Sequence, residues 1–265
     1  MDALPAATET ELLRRDLGGI AWLTLNRPQA RNALSLALMA ALDDELARIA
    51  EDPDAKVVVL AGAGPAFCAG HDLRELRARP DRAAYEQTFA ACSRLMLRIV
   101  RLPKPVIARV HGVATAAGCQ LVATCDLAVA ADTARFATPG VNIGLFCSTP
   151  MVALSRAVGR KPAMEMLLTG DLIDAARARE IGLVNRVLPE AELDDAVAEL
   201  AGRIAAKSPL TLTIGKEAFY RQAEMDLDSA YRYAAEVMTR NMLARDAAEG
   251  IDAFLTKRAP VWTGA

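Results

Sequence analysis

Twice in this chain a run rich in β-branched residues leads into a glycine- and alanine-rich loop and then into a helix-forming stretch. The first unit is Val57–Leu60, the loop Gly62–Gly70, and a helical pattern from Ala83 to Arg101. The second is Val106–Val110, followed after Gly112 by Ala114, Ala116, Ala117 and Gly118, which open a buried helix. A third apolar run covers Leu127–Ala130. Such runs read as strands buried on both faces, and their alternation with helices predicts an α/β core. Upstream, Gly18-Gly19 makes a turn, Ile20–Leu25 reads as a strand, and Asn26-Arg27-Pro28 breaks it. Ser35 caps a helix with Leu38, Leu42, Leu46 and Ile49 on one face, which stops at Asp52-Pro53. From Pro150 the pattern is helical, near 150–158, 162–169, 174–181, 191–206, 210–222, 226–243 and 246–256, with one strand at Val184–Val187. The expected organisation is a core over residues 1–200 and a helical region over 201–265.

Charge and residue counts narrow the chemistry. Against 33 Asp+Glu stand 31 Lys+Arg, a net charge of −2, so no electrostatic case exists for a nucleic-acid partner. The apolar stretch Val113–Ala131 is interrupted by Gln120 and Asp126, which argues against a membrane span. Two histidines, His71 and His111, exclude a histidine-rich metal site, and no metal is expected. Five cysteines without a C-x-x-C pair point to reduced thiols in a cytosolic compartment. Because Met1–Leu17 lacks a signal-like apolar stretch, a cytoplasmic location is expected.

Several motifs fail. Gly62, Gly64 and Gly70 follow a strand, but a dinucleotide fingerprint needs glycine where Phe67 stands. No phosphate-binding G-x-x-x-x-G-K-[ST] and no G-x-S-x-G elbow occur. What remains is the two loops, Phe67–Leu73 and His111–Gln120. Small residues let a ligand approach the backbone, and a helix start leaves N–H groups free. Two such places aimed at one point hold a developing oxyanion; alternatively, the small residues only permit close helix–sheet packing.

At these residues the sequence resembles the enoyl-CoA hydratase/isomerase (crotonase) superfamily. Asn26-Arg27-Pro28 with Asn32-Ala33-Leu34 resembles its N-R-P-x-x-x-N-A-L, and Phe67–Leu73 its F-x-A-G-x-D-L. Val106–Gly118 resembles P-V-I-A-x-V-x-G…G-G, and Phe136–Gly144 resembles F-x-x-P-x-x-x-x-G. Within that superfamily the run Ala137–Pro150 most resembles the enoyl-CoA hydratase domain-containing protein 3 subgroup. The resemblance implies a crotonase (ClpP-like) spiral of strand-strand-helix repeats with a C-terminal helical trimerisation region, assembling as a homotrimer or dimer of trimers. It implies an acyl-CoA ligand, with coenzyme A thioester as substrate and no tightly bound cofactor. On this mapping the N–H groups of His71 and Ala117 bind the thioester carbonyl. Ala69 meets the adenine amine, Ala30 and Arg31 line the nucleotide, and Arg74 meets the CoA phosphates. Lys257 serves similarly, for a neighbouring subunit.

The sequence departs from a hydratase where two glutamates should flank the substrate double bond. Those positions are Gln120 and Gly140. Glutamine does not exchange a proton near neutral pH, and glycine has no side chain. A general acid or base supplies about 10²–10⁴ in rate, so little hydration is expected, while oxyanion or enolate stabilisation persists. Cys147 is the candidate substitute nucleophile, and the His71 side chain the candidate acid/base. The alternatives are a non-catalytic acyl-CoA binder and a thioester decarboxylase or hydrolase. Asp72 is expected to cap the following helix, and His111 and Asp126 to be structural.

Overall fold

The computed structural model describes residues 10–265, so the first part of the Met1–Leu17 stretch and of the expected 1–200 unit lies outside the described residues. Strand β1 (Leu12–Leu17) turns at Gly18-Gly19, both at positive φ, into β2 (Ile20–Leu25). β1 is highly charged and is not expected from its sequence; it is an edge strand, so only one side of it needs a partner. Helix α1 (Leu36–Glu51) begins where the Ser35 hydroxyl accepts from the Leu38 N–H at 3.0 Å, and buries Leu38, Leu42, Leu46 and Ile49 as expected.

Three similar units follow. The first is β3 (Val57–Gly62), β4 (Ala66–Cys68), α2 (Leu73–Ala78) and α3 (Arg82–Arg101). The second is β5 (Val106–Val110), β6 (Val113–Thr115) and α4 (Ala117–Thr124). The third is β7 (Leu127–Ala131), β8 (Arg135–Ala137), α5 (Ser148–Ala157) and α6 (Arg160–Thr169). Then come β9 (Ile173–Asp174), α7 (Ala175–Glu180), β10 (Arg186–Leu188), α8 (Leu193–Ala205), α9 (Pro209–Gln222), α10 (Leu227–Met242) and α11 (Arg245–Leu255).

Each unit places one strand in each of two sheets. The larger runs β1-β2-β3-β5-β7-β10 and is parallel except for β1; the smaller runs β4-β6-β8-β9, with only β9 antiparallel. This is the strand-strand-helix spiral. β4, β6 and β8 have three residues each, too few for an alternating pattern to register. Hence residues 66–68 and 113–115, expected as loop and helix start, are strands.

β3 is buried at every position because both faces of the large sheet are covered. Val58 and Leu60 face the main core with α1 and α3, while Val57 and Val59 face Val197 and Ala201 of α8. The boundary expected at 200/201 therefore falls inside a helix packed on the sheet. α9 is anchored by a buried cluster. The Asp126 carboxylate accepts from Lys216 Nζ and the Val106 N–H at 2.7 Å and from the Tyr220 hydroxyl at 2.9 Å. This is the structural role expected of Asp126.

Candidate active site

The first loop is built by an asparagine. Asn32, fully buried, donates from Nδ2 to the carbonyls of Ala63 (2.9 Å) and Ala66 (2.8 Å), and its Oδ1 accepts from the Arg27 N–H. Arg27 pairs with Asp72 at 3.0 Å, and Asp72 caps α2 by accepting from the N–H groups of Arg74 and Glu75. Burial pushes the Asp72 carboxyl up, but Arg27 and the two amides outweigh it, so its pKa lies below the usual value. The N-R-P and N-A-L signatures thus hold the loop in shape; nothing in their spacing announces this task.

His71 sits in a parallel bridge with Leu34. The Leu34 N–H donates to the Gly70 carbonyl at 2.7 Å, and the Asp72 N–H donates to the Leu34 carbonyl at 3.1 Å. In such a bridge the central residue's own N–H points to the opposite side, which is where β6 lies beside β4. There Gly70, at φ +98°, packs on the start of α4: a Cβ on it would lie 2.9 Å from the Ala116 Cβ and 3.3 Å from the Ala117 nitrogen. Ala117 is the first residue of α4, so its N–H has no carbonyl within the helix. Among the described residues, neither the His71 nor the Ala117 N–H donates to a protein acceptor.

Ala116, the residue before, has φ 50° and ψ −118°, a conformation that glycine adopts easily and alanine resists. Its N–H donates to the Ala137 carbonyl at 2.9 Å, which pins it to β8. Ala116→Gly is expected to stabilise the fold by about 1 kcal/mol, relief of strain exceeding the entropy a glycine adds to the unfolded chain. A lowered urea midpoint in that variant would show that Ala116 is unstrained.

The two positions that depart from a hydratase lie apart in character. Gln120 is buried on α4, where its Oε1 faces the Cys92 thiol at 3.7 Å. It lines a cavity of about 820 Å³ walled by Met96, Val100, Val152 and Tyr220. A Cβ on Gly140 would stand 2.6 Å from the Leu145 carbonyl oxygen and 2.9 Å from Cys147 Sγ, so a glutamate has no room there. Cys147 fills that space. Burial pushes its thiol up, against the pull of the Gly140 N–H, and it is a poor nucleophile near neutral pH. The thiols of Cys68, Cys92 and Cys119 are pushed up to about 12 by burial.

The positions mapped to the nucleotide fall in two places. The Ala69 N–H donates to the Arg31 carbonyl at 3.0 Å, and the Ala69 carbonyl accepts from the Thr115 hydroxyl at 3.1 Å. Ala30 and Arg31 therefore border the first loop, with Arg31 held in the left-handed region. Arg74 is exposed on α2. Lys257 is exposed after α11 and belongs to a separate part of the chain. Thr115 is a loop-joining residue that no sequence signal marks, as is Phe89, whose ring meets that of His71 edge-on at 5.5 Å. His111 proves structural: its Nε2 lies 2.7 Å from the Gly64 carbonyl and its Nδ1 2.7 Å from Arg109, tying the two loops together.

The enoyl-CoA hydratase/isomerase family model matches residues 15–265. The chain is 47% identical to rat enoyl-CoA hydratase domain-containing protein 3, mitochondrial, over 98% of this chain and 88% of the relative. To the human protein of the same name it is 49% identical, over 94% and 82%. The crystal structure of an enoyl-CoA hydratase from Mycobacterium smegmatis superposes with a TM-score of 0.94 at 57% identity, covering 96% and 99% of the two chains. These relatives overturn the expected cytoplasmic location, since the vertebrate proteins are named as mitochondrial. The inference failed because buried free cysteines report packing, not compartment.

Proposed function

Because this chain belongs to the enoyl-CoA hydratase/isomerase family and has the crotonase fold, we propose that it binds an acyl-CoA thioester and stabilises its oxyanion or enolate through the N–H groups of His71 and Ala117. The observation that carries this reading is the contact of Gly70 with the start of α4, which brings two uncommitted amides to neighbouring backbone segments. The positive end of α4 adds to their field. The apolar cavity containing Gln120 opens one helical turn from Ala117 and suits the acyl chain. Ala30, Arg31, Ala69 and Arg74 border the same loop and suit the nucleotide end, with Lys257 offered by a neighbouring copy.

Hydration by two carboxylates has no support in Gln120 and Gly140. The reactions left are isomerisation, decarboxylation and thioester hydrolysis, of which decarboxylation alone needs no general base, because enolate stabilisation by the amide pair can drive it. Calorimetry with butyryl-CoA and its thioether analogue S-butyl-CoA tests the carbonyl contact. The thioester is expected to bind at least about tenfold more tightly, since only it offers an acceptor to the two amides. Equal affinities would remove the oxyanion role. A panel of thioesters followed by mass spectrometry identifies the reaction. The filled space at Gly140 and the poorly nucleophilic Cys147 favour a second reading, a non-catalytic acyl-CoA binder, which binding without turnover across the panel would establish.

Leu243 and Phe254, each 83% exposed, crown an apolar surface on α10 and α11 that includes Leu227, Tyr231 and Leu255. Surfaces of this kind mark protein–protein contacts, which supports a homotrimer or dimer of trimers. Light scattering is expected to give three or six times the 28.3 kDa chain mass, and a monomer at micromolar concentration would refute it.

A further inference from the structure

Gln120 stands on the wall of the large cavity with an amide that the protein leaves half used. The residue is only 4% exposed. Its Oε1 faces the Cys92 thiol at 3.7 Å, and burial pushes that thiol up to about 12, so it keeps the proton it donates. This contact directs the Nε2 end of the amide away from Cys92. Among the described residues, Nε2 donates to no protein acceptor. The His71 ring nitrogens also lack partners, but they are sealed from the surface, and no ligand reaches them. The Gln120 Nε2 is not sealed, and the residue that carries it lines the cavity. Buried polar groups are nearly always paired, so a free N–H₂ there asks for an acceptor. The wall supplies none. Thr124, the other buried polar residue lining the cavity, gives its hydroxyl to the Gln120 backbone carbonyl at 2.7 Å, while Met96, Ala123, Val152 and Ala153 are apolar.

Gln120 follows Ala117 by three residues on α4, a rise of about 4.5 Å, and residues three apart share one face of a helix. Helical side chains tilt toward the N-terminus, so Gln120 leans back toward the turn that begins at Ala117. A thioester whose carbonyl meets the Ala117 N–H therefore carries its first acyl carbons past the Gln120 amide. We propose that this amide is a specificity-determining group, which donates from Nε2 to the 3-keto oxygen of a 3-oxoacyl thioester and favours such ligands over plain acyl chains. This rests on the thioester reading above. A keto oxygen accepts and donates nothing, which complements an N–H₂ whose own carbonyl is already engaged. A hydrocarbon chain covers Nε2 and leaves it unpaired.

The test is the ratio of affinities for acetoacetyl-CoA and butyryl-CoA, which share the thioester carbonyl and differ at the third carbon, measured by calorimetry within each variant. The natural protein is expected to bind acetoacetyl-CoA about tenfold more tightly. Gln120→Met keeps the length of the side chain and loses the amide; in it the ratio should fall to near one, with butyryl-CoA bound at least as well as before. Gln120→Leu should behave alike, and circular dichroism checks that each variant is folded. A ratio near one in the natural protein, or a preference that survives both substitutions, overturns the proposal, while butyryl-CoA binding keeps the thioester reading intact. Failure of both ligands to bind the natural protein overturns both.

Discussion

Gly118→Ala should destabilise the folded chain by more than about 3 kcal/mol, beyond the usual cost of overpacking, and should abolish thioester binding with it. A Cβ on Gly118 would stand 2.0 Å from the Cys68 carbonyl oxygen, 2.7 Å from its carbon and 2.9 Å from its Cβ. These atoms belong to β4, which is buried at all three positions and paired with β6, so no flexible side chain can yield. The collision can be relieved only by separating α4 from β4. That movement carries the Ala117 N–H away from Gly70 and His71, so stability and the oxyanion pair are lost together. Urea unfolding monitored by circular dichroism measures the first, and calorimetry with butyryl-CoA the second. A variant with the natural urea midpoint would mean that α4 does not lie against Cys68.

Lys216→Met should cost about 3–5 kcal/mol, because it strands a buried carboxylate and two carbonyls. The Lys216 side chain is only 7% exposed, and its Nζ donates to the carbonyls of Ile99 and Lys104 at 2.9 Å as well as to Asp126. Lys216 thus joins α9 to the end of α3 and to the α3–β5 connection. Removing the charge from both partners, as Lys216→Met with Asp126→Asn, should recover part of the loss, since the amide oxygen still accepts from the Val106 N–H and the amide NH2 can donate to the Tyr220 hydroxyl. A double-mutant cycle by urea unfolding separates these contributions. A single variant within about 1 kcal/mol of the natural protein would show that α9 is held by apolar contact alone.

Much of the candidate site is legible in the sequence. The small residues Gly70, Ala116, Ala117 and Gly118 mark where backbones meet, because only such residues permit the approach, and each lies in that contact. The substitutions Gln120 and Gly140 are visible by position. What the sequence does not reveal is that Gly140 is glycine because Leu145 and Cys147 occupy the space beside it. Nor do the five cysteines report their environment, since burial, which sets their acidity, is a property of the packed chain.

Patterns several residues long carry their own information. The apolar run at 57–60, the β-branched run at 106–110, the face of α1, the caps at Ser35 and Asp72, and the helices after Pro150 all follow from local periodicity and capping chemistry. The sequence alone determined those elements and, through its ordered signatures, the family. Tertiary structure decided the three-residue strands β4, β6 and β8, the edge strand β1, the anchoring of α9, and the isolation of the His71 ring. Each depends on partners distant in the chain, and no local run of residues encodes a neighbour that only folding brings near.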